Sequence, residues 1–124
     1  MTDKKYELTD ETIVVDDHVL HRIRALKDFY PFKAGDLGGF IETEDNLSHE
    51  GSCWVYNNAK VYGNAQVYDR AKVHRLAMVL DYARVFGNAE VCGDARVLYE
   101  SRIFHRMKVT GVLAERRPLE PDGE

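Results

Sequence analysis

The chain has 124 residues, 44% of them hydrophobic and 31% charged, with a net charge of -4. That length holds one domain with a continuous core and is short for two, and the composition excludes a disordered or fibrous chain. No run approaches the roughly 20 apolar residues that cross a bilayer, the N-terminus lacks the apolar core of a secretion signal, and the expected location is the cytoplasm.

Residues 1–36 read as a cap. Thr12-Ile13-Val14-Val15, the turn Asp16-Asp17, and His18 to Leu26 spell a β-hairpin, and Pro31 and Gly35 then break the chain. Residues 1–50 carry 12 acidic against 6 basic side chains, and residues 51–124 carry 9 against 11. That asymmetry either steers a charged partner to one end or reflects a solvated cap beside a repeat body.

Ile41 and Leu47 stand six apart, which places the start of a repeat near Leu37. The frame then shifts by two: Cys53 continues the earlier one and Val55 begins the later one, so an irregular corner is expected around Ser52 to Trp54. Cys53 and Cys92 are the two cysteines, without a Cys-X-X-Cys pair, so neither a disulfide framework nor a structural zinc site is indicated.

From Val55 the period is six without a slip. Val55, Val61, Val67, Val73, Val79, Val85, Val91, Val97, Ile103 and Val109 recur at one position, and Ala59, Ala65, Ala71, Ala77, Ala83, Ala89 and Ala95 lie two residues before the next of these. Six is a multiple of the strand period, so Ala and the following Val point to one side of a short strand. Between strands stand Asn57-Asn58, Gly63-Asn64, Asp69, Asp81, Gly87-Asn88, Gly93-Asp94 and Gly111, residues suited to tight corners. Three such strands close a triangle filled by a Val61, Val67, Val73, Val79, Val85, Val91, Val97 and Ile103 core. Downstream the small position becomes Ser101, Met107 and Leu113, larger side chains that suit a closing coil. Residues 115–124, with Pro118, Pro121 and acidic Glu120, Asp122 and Glu124, have little to bury and are expected to form a flexible tail.

This repeat resembles the hexapeptide-repeat proteins. The resemblance implies an all-β fold, a single-stranded left-handed parallel β-helix, triangular and of about four coils over residues 37–114, with an N-terminal hairpin cap. The handedness comes from the resemblance. The segment from His21 to Phe29, with Gly35 to Glu42 and Asn46-Leu47-Ser48, is similar to the opening of poorly characterised bacterial and prophage hexapeptide-repeat proteins carrying transferase-like labels, which implies a phage or prophage context without supplying a reaction.

With three hexapeptides per coil, residues 18 apart stack, and those flanking each inward Val face outward. One face stacks Tyr62, Leu80 and Leu98 beside Lys60, Met78 and Arg96. The next stacks Tyr68, Phe86 and Phe104 beside Gln66, Arg84 and Arg102. The third stacks Tyr56, His74, Cys92 and Thr110 beside Trp54, Lys72, Glu90 and Lys108. Apolar columns with arginines are interface chemistry, so Tyr62, Met78, Leu80, Leu98, Tyr68, Arg84, Phe86, Arg102 and Phe104 are the expected oligomer or partner surface. Ladder stacking between coils accounts for the same columns without a partner.

The resemblance also supplies an enzyme alternative: many hexapeptide-repeat proteins are acyltransferases with a histidine base and acyl-coenzyme A held along the helix at a subunit boundary. Such enzymes interrupt their coils with a long loop, and residues 55–114 contain no insertion. A zinc-dependent carbonic anhydrase on the same fold uses three histidines. Here His18 and His21 fall on opposite sides of one strand, and His74 and His105 have no near neighbour able to ligate, so neither a metal nor another cofactor is expected. Gly38-Gly39 is an isolated pair, not a phosphate loop. Lys60 with Arg96 and Arg84 with Arg102 make basic stripes too short for nucleic acid. The function expected is a non-catalytic β-helical scaffold or protein-binding module that forms a dimer or trimer, and in a phage setting an inhibitor of a host enzyme or defence complex.

Overall fold

The computed structural model describes residues 4–29 and 31–115. It is all-β, a parallel β-helix of about four stacked coils preceded by a hairpin. The hairpin pairs β1 (Tyr6–Val15) with β2 (His18–Ala25). Its turn residues Asp16 and Asp17 both take positive φ, 51° and 69°, a conformation short polar side chains tolerate. β3 (Leu37–Ile41) follows, then a 3₁₀ turn at Glu44–Asn46.

The body consists of two-residue strands: β4 (Trp54–Val55), β5 (Lys60–Val61), β6 (Gln66–Val67), β7 (Lys72–Val73), β8 (Met78–Val79), β9 (Arg84–Val85), β10 (Glu90–Val91), β12 (Arg102–Ile103) and β13 (Lys108–Val109). Two four-residue strands join them, β11 (Arg96–Tyr99) and β14 (Val112–Glu115). They form three faces. The hairpin extends the first, in the order β1-β2-β3-β5-β8-β11-β14; the others run β13-β10-β7-β4 and β12-β9-β6. β2 joins β3 antiparallel while every later pair is parallel, so the hairpin covers the otherwise unpaired edge that a parallel stack leaves.

The six-residue repeat works through its corners. Positive φ recurs at Asn57, Gly63, Asp69, Arg75, Asp81, Gly87, Gly93, Tyr99 and His105, one per hexapeptide. Each corner closes when the N–H of the small residue reaches the carbonyl three residues back, as from Ala59 to Tyr56 at 3.0 Å and Ala83 to Leu80 at 3.2 Å. Asn57 Oδ1 accepts from the Arg75 amide, Asp69 Oδ2 from Gly87 and Asp81 Oδ2 from Tyr99, at 3.0, 3.0 and 2.8 Å. Each acidic or amide corner therefore holds the corner beneath it, which offsets the left-handed strain at Arg75 and Tyr99.

Inside, Val61, Val67, Val73, Val79, Val85, Val91, Val97 and Ile103 are buried with the alanines. Each such side chain stabilises by about 1.5–3 kcal/mol on transfer from water. The frame shift is accommodated upstream of its expected position. Leu47 pairs with Val67, and Val55 with Val73, so the two additional residues lie in the corner after Ser48, where Gly51 takes φ 74°. Cys53 then occupies the buried small position before Val55. The other end shortens by the same amount. Val97 pairs with Leu113, 16 residues on instead of 18, so Leu113 takes the aliphatic place and not the small one expected for it. Met107, in the small position of the last coil, is 40% exposed. The tail expected over residues 115–124 lies, apart from Glu115, outside the described residues. Among those described, no helix is long and apolar enough to cross a membrane.

Candidate functional site

The three outward faces differ in what covers them. On the first, Tyr62 is 2% exposed, contrary to its expected place on an open surface. Leu20, Phe40 and Tyr62 form a small second core, with Ile13, Val15, Met78 and Leu80 packed against it. Tyr62 donates its hydroxyl to Asp16 Oδ2 at 2.8 Å, and burial raises its pKa. The hairpin thus folds down over its own helix and takes the Tyr62, Met78 and Leu80 part of the expected interface for the chain itself, because antiparallel addition to β3 carries its turn onto that sheet. Leu98, further along the same face, remains half-buried.

On the second face Tyr68, Phe86 and Phe104 are half-buried and stack in line, Tyr68 on Phe86 at 5.0 Å and 3°, Phe86 on Phe104 at 5.6 Å and 13°. Gln66, Arg84 and Arg102 stand in register beside them and are exposed. Among the described residues, the ring partners of this column are one another and His105.

The third face is closed at its upper end. Trp54 points outward in register with Lys72, as expected, but is only 1% exposed, because Phe29 and Phe32 from the loop after β2 and Tyr6 from β1 pack on its ring. Lys5 is buried beside it and donates Nζ to the carbonyls of Cys53 at 2.7 Å and Gly51 at 3.1 Å. Burial lowers the Lys5 pKa and raises that of Cys53. Below lies a cluster that the sequence reading missed. His74 Nε2 meets Glu90 Oε2 at 2.5 Å, and the ligating atoms of His74, Glu90 and Cys92 all lie within 4.8 Å of one another. The statement that His74 has no neighbour able to ligate is therefore overturned: His74 and Cys92 are 18 apart and stack, and Glu90 flanks Cys92 on the same strand face. The His74 hydrogen bond holds the Glu90 carboxyl below its ordinary range.

The remaining histidines serve the hairpin and the last corner. His18 Nδ1 meets Glu42 Oε2 at 2.9 Å, and His21 Nδ1 lies 3.0 Å from the Thr9 carbonyl. His49 accepts the Lys5 amide on Nδ1 and meets Glu44 on Nε2 at 2.7 Å. His105 occupies an exposed corner with φ 54°. An open cleft of about 560 Å³ adjoins Lys5, Lys27, Phe29 and His49 at the hairpin end.

No family model matches the chain. It is similar to the protein named uncharacterized acetyltransferase YdcK from Escherichia coli (strain K12), with 44% identity over 39 residues, 32% of this chain. The chain spans 12% of that protein's length. Together with the stacked parallel coils, this similarity fits a hexapeptide-repeat family at a coarse level.

Proposed function

We propose that this chain is a non-catalytic β-helical scaffold that binds protein through the outward face of β6, β9 and β12, and that the first occupant of that face is a second copy of itself. The observation that carries the reading is the stacked Tyr68, Phe86 and Phe104 column, which the hairpin leaves uncovered and which exposed Arg84 and Arg102 flank. Aromatic anchors beside arginine are the composition of binding surfaces. A flat face of this kind also suits a closed symmetric dimer or trimer, in which each copy presents the same patch. Light scattering on the full chain tests this. The wild type is expected to be a dimer or trimer, and Phe86→Glu a folded monomer, because it places a charge where two copies meet. A monomeric wild type overturns self-association and transfers the face to a foreign protein. The extension to a phage or prophage inhibitor of a host enzyme or defence complex rests on the family resemblance, and a host pull-down that recovers no specific protein would remove it.

The second reading is an acyl-coenzyme A dependent acetyltransferase, favoured by the 39-residue similarity to a protein of that name. His74 would be its base, yet its Nε2 is engaged by Glu90 on a strand face. Acetyl-coenzyme A binding by calorimetry, lost in His74→Ala, would support this reading over the scaffold.

A further inference from the structure

The hexapeptide stack needs nothing polar at the outward positions 74, 90 and 92, since its corners and inward Val and Ala suffice to hold it. Three different ligating groups nevertheless converge there. β7 and β10 pair with Lys72 opposite Glu90 and Val73 opposite Val91, so the next residues, His74 and Cys92, lie one above the other. Glu90 projects from the same side of β10 as Cys92. The side chains of His74 and Glu90 are 22% and 35% exposed, while Cys92 is 6% exposed. The thiol therefore lies at the floor and the imidazole and carboxylate at the rim. Tyr56 packs edge-on against the His74 ring at 5.6 Å, which helps orient it.

We propose that His74, Glu90 and Cys92 bind a divalent cation of the zinc class, with three protein ligands from one chain and water in the fourth position. Imidazole nitrogen, thiolate sulfur and carboxylate oxygen are the donors zinc takes, whereas magnesium and calcium select oxygen alone. Tetrahedral zinc bonds place neighbouring donor atoms about 3.5 Å apart. The three groups, all within 4.8 Å of one another, reach that spacing by side-chain rotation, with His74 and Glu90 opening from 2.5 Å. On binding, the Cys92 thiol releases its proton to solvent and its sulfur bonds the metal, while each protein ligand displaces one water of the aqua ion. Thiolate and carboxylate together neutralise the cation. Lys72 and Lys108 stand in register on either side of Glu90 and oppose the positive charge, so affinity is expected to fall below that of closed four-ligand structural sites.

The test is titration of the untagged, metal-free full chain with Co²⁺, followed by thiolate-to-cobalt charge-transfer absorption, and with Zn²⁺ by calorimetry. One ion per chain is expected, with the thiolate band present in Cys53→Ser and absent in Cys92→Ser. His74→Ala and Glu90→Gln should each weaken Zn²⁺ by more than about tenfold. Zn²⁺ should also raise the melting temperature of the wild type and not of His74→Ala. Absence of the thiolate band in the folded wild type overturns the proposal, as does Zn²⁺ binding that survives both His74→Ala and Glu90→Gln unchanged. These outcomes are read on the chain whether it is monomeric or assembled, so they are separate from the fate of the scaffold reading.

Discussion

Glu42 and Glu44 fasten the hairpin to the helix through histidines. Burial pushes the Glu42 carboxyl up, but the His18 hydrogen bond and the Gly63 amide outweigh it and its pKa falls below 4.5. Glu44 is lowered by the hydrogen bond from His49, helped by Lys4 against the effect of burial. A carboxyl whose folded pKa lies below its unfolded value contributes stability that is fully present above the unfolded pKa and is lost as pH falls through the folded one. The denaturation midpoint should therefore drop as pH falls below about 5, and the Glu42→Gln, Glu44→Gln double variant should show a shallower drop. Urea unfolding at stepped pH measures it; an equal slope in both proteins would show that these contacts carry no linkage. Gln66, Arg84 and Arg102 were placeable from the repeat because each occupies a regular outward position. The His49 contact with Tyr6, with rings stacked at 4.1 Å, was not, because it joins the irregular corner to the cap.

At the scale of the element, one tight joint is where β3 meets the first full coil. Gly39 stands two residues before Ile41, the position alanine holds in later strands. A Cβ there would approach the Ala59 carbonyl oxygen to 2.5 Å and Val55 Cγ1 to 2.7 Å. The backbone oxygen cannot yield as a flexible side chain would, so Gly39→Ala should destabilise by about 1–3 kcal/mol, against a near-neutral effect for Asp94→Ala at an exposed corner. Thermal and urea denaturation of the two variants would decide it, and equal stabilities would contradict the close approach. The Gly38-Gly39 pair thus has a packing role, and its sequence context concealed this because the unbroken Val and Ala frame begins only at Val55. Corners show the reverse. Asn57, Asp69 and Asp81 were legible as turn residues, whereas Arg75, Tyr99 and His105 hold the same positive φ without any compositional sign. They take it because six residues separate each corner from the next and the stack imposes one conformation on all.

Across the whole molecule, inward and outward positions should respond differently to charge. Val79 is fully buried between β5 and β11; Val79→Asp would bury an uncompensated carboxylate and should unfold the protein. Phe86→Glu loses two stacked contacts, about 1–3 kcal/mol by the usual value of an aromatic pair, and should keep the β-sheet circular dichroism of the wild type while losing assembly. Equal loss of signal in both variants would contradict the division into inner and outer positions.

Hexapeptide spacing was enough to read the stacked triangle of short strands, its inward Val and Ala and its columns of residues 18 apart; the family resemblance supplied the β-helix, and the Thr12 to Leu26 pattern the hairpin before it. This follows because a strictly periodic chain repeats one local conformation and leaves little to long-range choice. What covers each column was open until the chain was folded. The hairpin hides Tyr62, Phe29 and Phe32 hide Trp54, and His74, Glu90 and Cys92 come together at one spot. These contacts join non-periodic segments to periodic ones, or turn on side-chain rotation within a column. Neither is written in the spacing, since both depend on where the cap docks and on distances of a few ångströms between side chains of neighbouring coils.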